Sequence, residues 1–261
     1  MFNTSVQNTL PITGLLLLAA MHLQCQPTQK EDPVKSLLKP QTAYTTYQGQ
    51  VGGRKKFMLA DSSMVILNAG SRLLVPATFP QKSREIVLDG EAFFEAAPNA
   101  HGQPFIVKTD KLTITALGTT FRIRSFTSQP GATAYLLKGK VRVAKTYHSD
   151  TDNQPEILER GQMVLANKDI DLMEKETYQP AELETWLRGD LRFKNVPFMT
   201  MVRQLEDWYA VTITVEGNVS SVENITASFQ NNTLQQTLNI LQKVAHFSYE
   251  IKGNEVTIDV R

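Results

Sequence analysis

From about Thr45 to Lys168, apolar and polar residues alternate in short runs separated by turn-forming residues. The alternation is clearest in Thr113-Ile114-Thr115-Ala116-Leu117 and in Phe121-Arg122-Ile123-Arg124. This is the period of a strand with one buried face. Lys56–Leu59 and Met64–Asn68 flank Asp61-Ser62-Ser63, a hairpin signal without glycine. Ile86–Leu88 leads to a turn at Asp89-Gly90 and on to Ala92–Phe94. Phe105–Lys108, Leu112–Leu117 and Thr120–Arg124 follow, built from Thr, Ile, Val and Phe, which suit a pleated, half-buried surface. Ala134–Leu137 and Val141–Val143 form a further hairpin about Lys138-Gly139-Lys140. Many short strands with turns roughly every 8–12 residues predict a β-sandwich, barrel or β-roll.

After Pro180 the period changes. Leu191–Phe193 reads as a short strand, and Asn195-Val196-Pro197 as a helix start. Phe198, Met201, Val202, Leu205, Trp208 and Tyr209 then recur at helical spacing, which places Trp208 and Tyr209 in the core. Val211–Val215 and Ile225–Phe229 read as strands. Thr233-Leu-Gln-Gln236 is a capping-box pattern that opens a second helix bearing Leu234, Leu238, Leu241 and Val244. Phe247–Ile251 and Val256–Val260, about a Gly253-Asn254 turn, close the chain with a hairpin. The order β-α-β-β-α-β-β predicts a small α+β domain with helices packed on a sheet.

The front of the chain follows neither period. Leu10–Leu23 holds fourteen residues without an acid, lysine or arginine. A spanning helix needs about 20, so the run fits a signal or anchor segment better, although residues 1–9 lack the basic residue expected there. Cys25 follows the run, where a bacterial lipoprotein would carry its lipidated cysteine; His22, Leu23 and Gln24 match that processing site poorly. From Gln26 to Gln41 the chain is polar, with Pro27, Pro33 and Pro40, as in a tether. The expected organisation is therefore an anchor segment at 1–25, a linker at 26–44, a β domain at 45–170 and an α+β domain at 187–261.

Composition narrows the function classes. With 27 Lys+Arg against 26 Asp+Glu, the chain lacks the basic excess of a nucleic-acid binder. One cysteine excludes an intrachain disulfide framework, and His22, His101, His148 and His246 form no metal-ligand spacing. No P-loop, Rossmann fingerprint or nucleophile elbow occurs. Glu91 and Glu95 lie on one strand face, about 13 Å apart at the rise of a strand. That is too far for a glycosidase pair, and solvated or turn-capping carboxylates are the simpler reading. Gly52-Gly-Arg-Lys-Lys56 reads as a turn entering a strand rather than a phosphate site.

Several segments carry a family resemblance. Leu59-Ala-Asp-Ser-Ser-Met-Val-Ile-Leu-Asn68 resembles the L-P-D-G-S-x-V-x-L-N opening of FecR-type periplasmic sensor domains. Arg84-Glu-Ile-Val-Leu-Asp-Gly-Glu-Ala-Phe-Phe-Glu95 is similar to their R-x-V-x-L-x-G-E-A-y-F-E segment. Pro104-Phe-Ile-Val107, Leu117-Gly-Thr-Thr-Phe-Arg-Ile123, Leu137-Lys-Gly-Lys-Val141 and Arg160-Gly161 resemble later motifs. Trp186-Leu-Arg-Gly-Asp-Leu-Arg-Phe-Lys-Asn-Val-Pro197 resembles the companion C-terminal domain, itself similar to the short N-terminal signalling domain of secretins and TonB-dependent transporters. Ala60, Ser62 and Arg122 depart from the usual Pro, Gly and Asn, and Ser62 weighs against a positive-φ turn. Within these motifs Asp61, Asn68 and Asp89 are expected to cap turns.

The resemblance implies a mainly β, non-enzymatic, cofactor-free envelope regulator of the anti-sigma type, membrane-anchored and facing the periplasm. It would relay a signal from the signalling domain of a TonB-dependent outer-membrane transporter to an extracytoplasmic-function sigma factor. Family members carry a cytoplasmic sigma-binding arm before the anchor, whereas only residues 1–9 precede the apolar run here. Strand pairing at Val211–Val215 or Val256–Val260 is the expected contact mode. Trp186, Val211, Ile213, Val215, Val256 and Ile258 are the candidate contact residues, Trp186 equally readable as interdomain packing. The alternative is an envelope lipoprotein whose β domain binds glycan or serves structurally; an enzyme is a third.

Overall fold

A computed structural model describes residues 32–260 of the chain, besides Met1. The apolar run, Cys25 and the start of the tether lie outside the described residues. The later part of the expected tether is not merely a spacer. Pro33–Leu37 forms a 3-10 turn, opened by Asp32, whose carboxylate accepts the Val34 N–H. Val34 is buried with Leu74 and Val87.

Thirteen strands build the first domain: β1 Tyr44–Gln48, β2 Lys55–Met58, β3 Met64–Leu67, β4 Arg72–Pro76, β5 Arg84–Glu95, β6 Phe105–Lys108 and β7 Leu112–Ala116, followed by β8 Thr120–Ser125, β9 Gly131–Lys138, β10 Val141–Lys145, β11 Glu156–Leu158, β12 Gln162–Asn167 and β13 Leu172–Thr177. The central element is β5. Its first half pairs with β4 and, in parallel, with β6, while its second half pairs with β3 and β8. One strand thereby belongs to two layers, β11-β10-β7-β6-β5-β4-β1 and β2-β3-β5-β8-β9-β12-β13. Val65, Phe94, Phe121 and Leu136 from one and Val107, Ile114 and Val143 from the other share a single core. The turn expected at Asp89-Gly90 does not form. Gly90 takes φ +125 inside the strand, and a Cβ there would stand 2.4 Å from Ser71 Oγ. The strand bends without leaving its ladder, as only glycine permits.

The two opening motifs are joined by buried polar contacts. Ser62 does adopt a positive φ, 66°, despite the absence of glycine. The Asp61 carboxylate holds this turn by accepting the Ser63 N–H at 2.9 Å, as expected. It also binds the Arg84 guanidinium, which is 1% exposed, with a closest approach of 2.7 Å. Arg84 donates further to the carbonyls of Gln103 (3.1 Å) and Ala97 (2.7 Å). Asn68 does not cap a turn with its side chain; its Nδ2 donates to Glu91 Oε2 at 2.6 Å. Asp89 reaches across the fold instead, accepting from Thr127 N at 2.8 Å and pairing with Arg72.

The C-terminal part follows the expected order after an additional helix, α1 Pro180–Leu187. Then come β14 Asp190–Val196, α2 Phe198–Tyr209, β15 Thr212–Gly217, β16 Ile225–Gln230, α3 Leu234–Ala245, β17 Phe247–Lys252 and β18 Glu255–Val260. Two small sheets replace the single one expected. β14 pairs with β16, while β18 lies between β15, to which it is parallel, and β17. Leu205, Tyr209, Leu238, Leu241 and Ile258 fill the core between helices and strands. The capping box forms as read, Thr233 accepting from Gln236 N and Gln236 accepting from Thr233 N. From Asp32 onward, both parts form one compact unit. Among the described residues no helix is long and apolar enough to cross a membrane.

Candidate functional site

Alternate residues of β5, β8 and β9 point away from the β core: Glu91 and Phe93, Arg122 and Arg124, Tyr135 and Leu137. Their neighbours Ala92, Phe94, Phe121, Ile123, Ala134 and Leu136 line the interior. The outward face is covered by α1. Pro180 starts this helix, and Leu183, Trp186 and Leu187 follow at a spacing that sets them on one side. Leu183 and Trp186 are buried with Phe93 there.

Cations and aromatic rings alternate across this junction. The Arg54 guanidinium lies 4.2 Å from the Trp208 ring centroid and 3.9 Å from that of Trp186. Arg122 lies 4.6 Å from the Trp186 ring and 5.4 Å from Tyr135. Tyr135 meets Tyr178 edge-on at 5.1 Å, and the Tyr178 hydroxyl donates to Leu136 O at 2.7 Å. The row joins the segment before β2, strands β8 and β9, the segment after β13, α1 and α2. Each cation–ring contact is worth about 0.5–2 kcal/mol, more as water is excluded.

A single buried carboxylate offsets part of this charge. Glu91, 1% exposed, accepts from Arg122 Nε at 2.6 Å and from Asn68 Nδ2 at 2.6 Å. Arg124 stands 3.5 Å away and also reaches Asp207 of α2 at 2.7 Å. Burial alone would push the Glu91 carboxyl up. The charges of Arg122 and Arg124 and the hydrogen bonds from Arg122 and Asn68 outweigh it and hold the group below the usual glutamate range. Arg54 is less well compensated. Its Nη1 donates to the Trp186 carbonyl, but among the described residues its buried Nε and Nη2 find no acceptor and the buried Asn68 Oδ1 finds no donor. Desolvation pulls the Arg54 guanidinium down to about 10, with Glu91 opposing the drop and Arg122 adding to it. The junction therefore couples favourable ring contacts to incompletely satisfied polar groups. Trp208→Ala, which removes one face of the Arg54 stack, is expected to cost about 1–2 kcal/mol in a urea titration.

Beside this row lies a cleft of about 580 Å³ between the domains, lined by Arg124, Trp186, Asp190, Arg192, Asp207 and Trp208 among others. Among the described residues no three or more His, Cys, Asp or Glu side chains are placed to hold a metal.

The residues singled out from sequence are distributed as follows. Trp186 is 5% exposed and packs between the domains, so in this arrangement it is not a surface contact. Tyr209 is core, its hydroxyl 2.6 Å from Thr237 Oγ1, whereas Trp208 is half-buried at the junction. Val211, Ile213, Val256 and Ile258 are buried in the α+β core, and Val215 is half-buried against it. The expectation that Val256–Val260 offers a free edge fails, because β18 is the middle strand and has a neighbour on each side. β15 is an edge. Glu91 is neither solvated nor turn-capping but buried and paired; Glu95 is exposed. Cys25 lies outside the described residues. Arg54 reads from the sequence as a turn residue only; an arginine beside two glycines, ahead of a strand, is the one signal there of its place in the junction.

Two family models match the chain: one described as FecR protein, over residues 45–142, and one described as FecR, C-terminal, over residues 190–258. The fold is similar to two crystal structures from Parabacteroides distasonis ATCC 8503, each of a protein provisionally assigned as an anti-sigma factor. The first superposes with a TM-score of 0.60 at 24% identity, over 84% of this chain and 100% of that one. The second gives 0.59 at 25% identity, over 82% and 98%. No protein of curated function matches the chain in sequence.

Proposed function

Proceeding from the fact that the chain belongs to the FecR family, a regulatory rather than enzymatic kind of protein, we propose that it relays a signal from a TonB-dependent outer-membrane transporter to an extracytoplasmic-function sigma factor. In this reading the first 25 residues attach it to the membrane, by the apolar run or by lipid on Cys25, and the domains from β1 onward face the periplasm. The α+β domain receives the transporter's signalling domain by strand addition at β15. The observation that carries this is topological: among the described residues β15 has one neighbour only, while its apolar side chains are already committed to the core. An added strand would therefore bind through backbone groups and leave the domain intact. A glycan-binding role is less well supported, because sugars stack on open aromatic faces. At this junction Arg54 and Arg122 lie against the Trp186 and Trp208 rings.

The test uses the full chain and the isolated signalling domains of the host's TonB-dependent transporters, measured one at a time by calorimetry. One of them is expected to bind, and Val215→Pro, which removes a backbone donor on the edge, is expected to weaken it at least about tenfold. Binding unaffected by Val215→Pro, or no binding by any of these domains, would overturn the reading.

A further inference from the structure

The free edge of β15 is not open along its whole length. The Thr212 N–H donates to Asn254 O at 2.9 Å, and the parallel register with β18 runs from Thr212 opposite Glu255 to Gly217 opposite Val260. In such a ladder successive residues point their backbone groups to opposite sides. Thr212 and Thr214 therefore face β18, while Ile213 and Val215 face outward. The outward Ile213 N–H is already taken, donating to Glu206 Oε1 at 2.8 Å. Glu206 lies in the last turn of α2, and its own carbonyl accepts the Val211 N–H at 3.3 Å, so helix end and strand start are tied by one residue. Among the described residues no such partner meets the Val215 N–H.

A charged acceptor on a backbone donor is a strong local bond, and it stands where the carbonyl of an incoming strand would have to sit. A carbonyl and a carboxylate cannot share that donor without repulsion. Resting on the reading that a partner strand adds to this edge, we propose that Glu206 is the residue that sets its register: it closes the Ile213 position, and pairing starts at Val215. The same carboxylate keeps the edge from pairing with a second copy of the chain, as inward-pointing charges do on other exposed edges. Glu206 is thus a specificity-determining residue, acting through the Ile213 amide.

Three variants of the full chain test this: Glu206→Ala, Glu206→Gln and Glu206→Ala combined with Val215→Pro. Native-state hydrogen exchange is expected to speed up about tenfold or more at Ile213 in Glu206→Ala and little in Glu206→Gln, whose side-chain carbonyl still accepts. In sedimentation equilibrium, with the second copy as the probe strand, Glu206→Ala is expected to self-associate and the double variant to stay monomeric. Unchanged Ile213 exchange in Glu206→Ala, a monomeric Glu206→Ala, or association that survives Val215→Pro would each overturn the proposal. None of these readouts involves a transporter, so a failed transporter titration alongside them would count against the relay and not against the role of Glu206.

Discussion

Glu91→Gln is expected to lower the unfolding free energy by about 3–5 kcal/mol, the range for removing one partner of a buried ion pair. Glutamine keeps the shape and an acceptor for Asn68, but its amide nitrogen then faces Arg122, so the loss combines the charge with one hydrogen bond. What remains is Arg122 over the Trp186 ring, Arg124 beside it and Arg54, whose Nε and Nη2 already lack acceptors among the described residues. Three cations would then share one largely buried junction without a buried anion. Denaturant titration against wild type measures the effect, and a change below about 1 kcal/mol would show that water screens the cluster. The pH dependence supplies a second readout. Because the folded state holds the Glu91 carboxyl below its ordinary value, its contribution is fully present above the ordinary glutamate pKa of about 4.3 and is lost as pH falls through the lowered one. Wild type should therefore lose more stability on acidification than Glu91→Gln.

The second large effect is expected at Arg84→Met. Arg84 and Asp61 are 1% and 6% exposed at the side chain, and the guanidinium also serves the Ala97 and Gln103 carbonyls. Methionine fills much of the same space but leaves a buried carboxylate without its cation. The cost is expected to be about 3–5 kcal/mol, read as a lowered denaturation midpoint. Arg84→Met with Asp61→Asn should recover part of it, since the uncompensated charge is removed. A double-mutant cycle with a coupling near zero would assign the loss to packing alone.

These two clusters explain what the motifs of this chain hold together. The alternation in Thr113–Ala116 and Phe121–Arg124 matches the buried faces of β7 and β8, and the segments Leu59–Asn68 and Arg84–Glu95 are legible as strand-forming. Their polar members were read as local turn caps, because turn capping is visible at short range. The contacts from Arg84 to Asp61 and from Asn68 to Glu91 cross 23 positions, and no local period records them. Position 54 meeting 186 and 208 is still less visible. The bend at Gly90 is hidden for a related reason: Asp-Gly marks a tight turn and an in-strand kink equally well, and the choice depends on whether flanking strands pair through it. Arg72–Pro76 carries no strand signal in the sequence, because a strand buried on both faces shows no alternation. Helix α1 carried a readable spacing in Leu183, Trp186 and Leu187, but only eight residues of it. In the α+β domain the order of elements was legible. Which strand lies at the edge was not, because Val211–Val215 and Val256–Val260 alternate alike and only the parallel pairing of β15 with β18 separates them.

The chain contains two tryptophans, Trp186 and Trp208, and both belong to the row of rings and cations between the domains. The β core, built around Phe94, Phe105 and Phe121, contains none. Indole emission moves to longer wavelength as the ring enters water, so the native fluorescence of this protein is an unlabelled optical gauge of one interface. A ligand that binds with the domains docked would leave the emission maximum in place. One that separates them would shift it to the red while the far-ultraviolet spectrum of the strands stays the same.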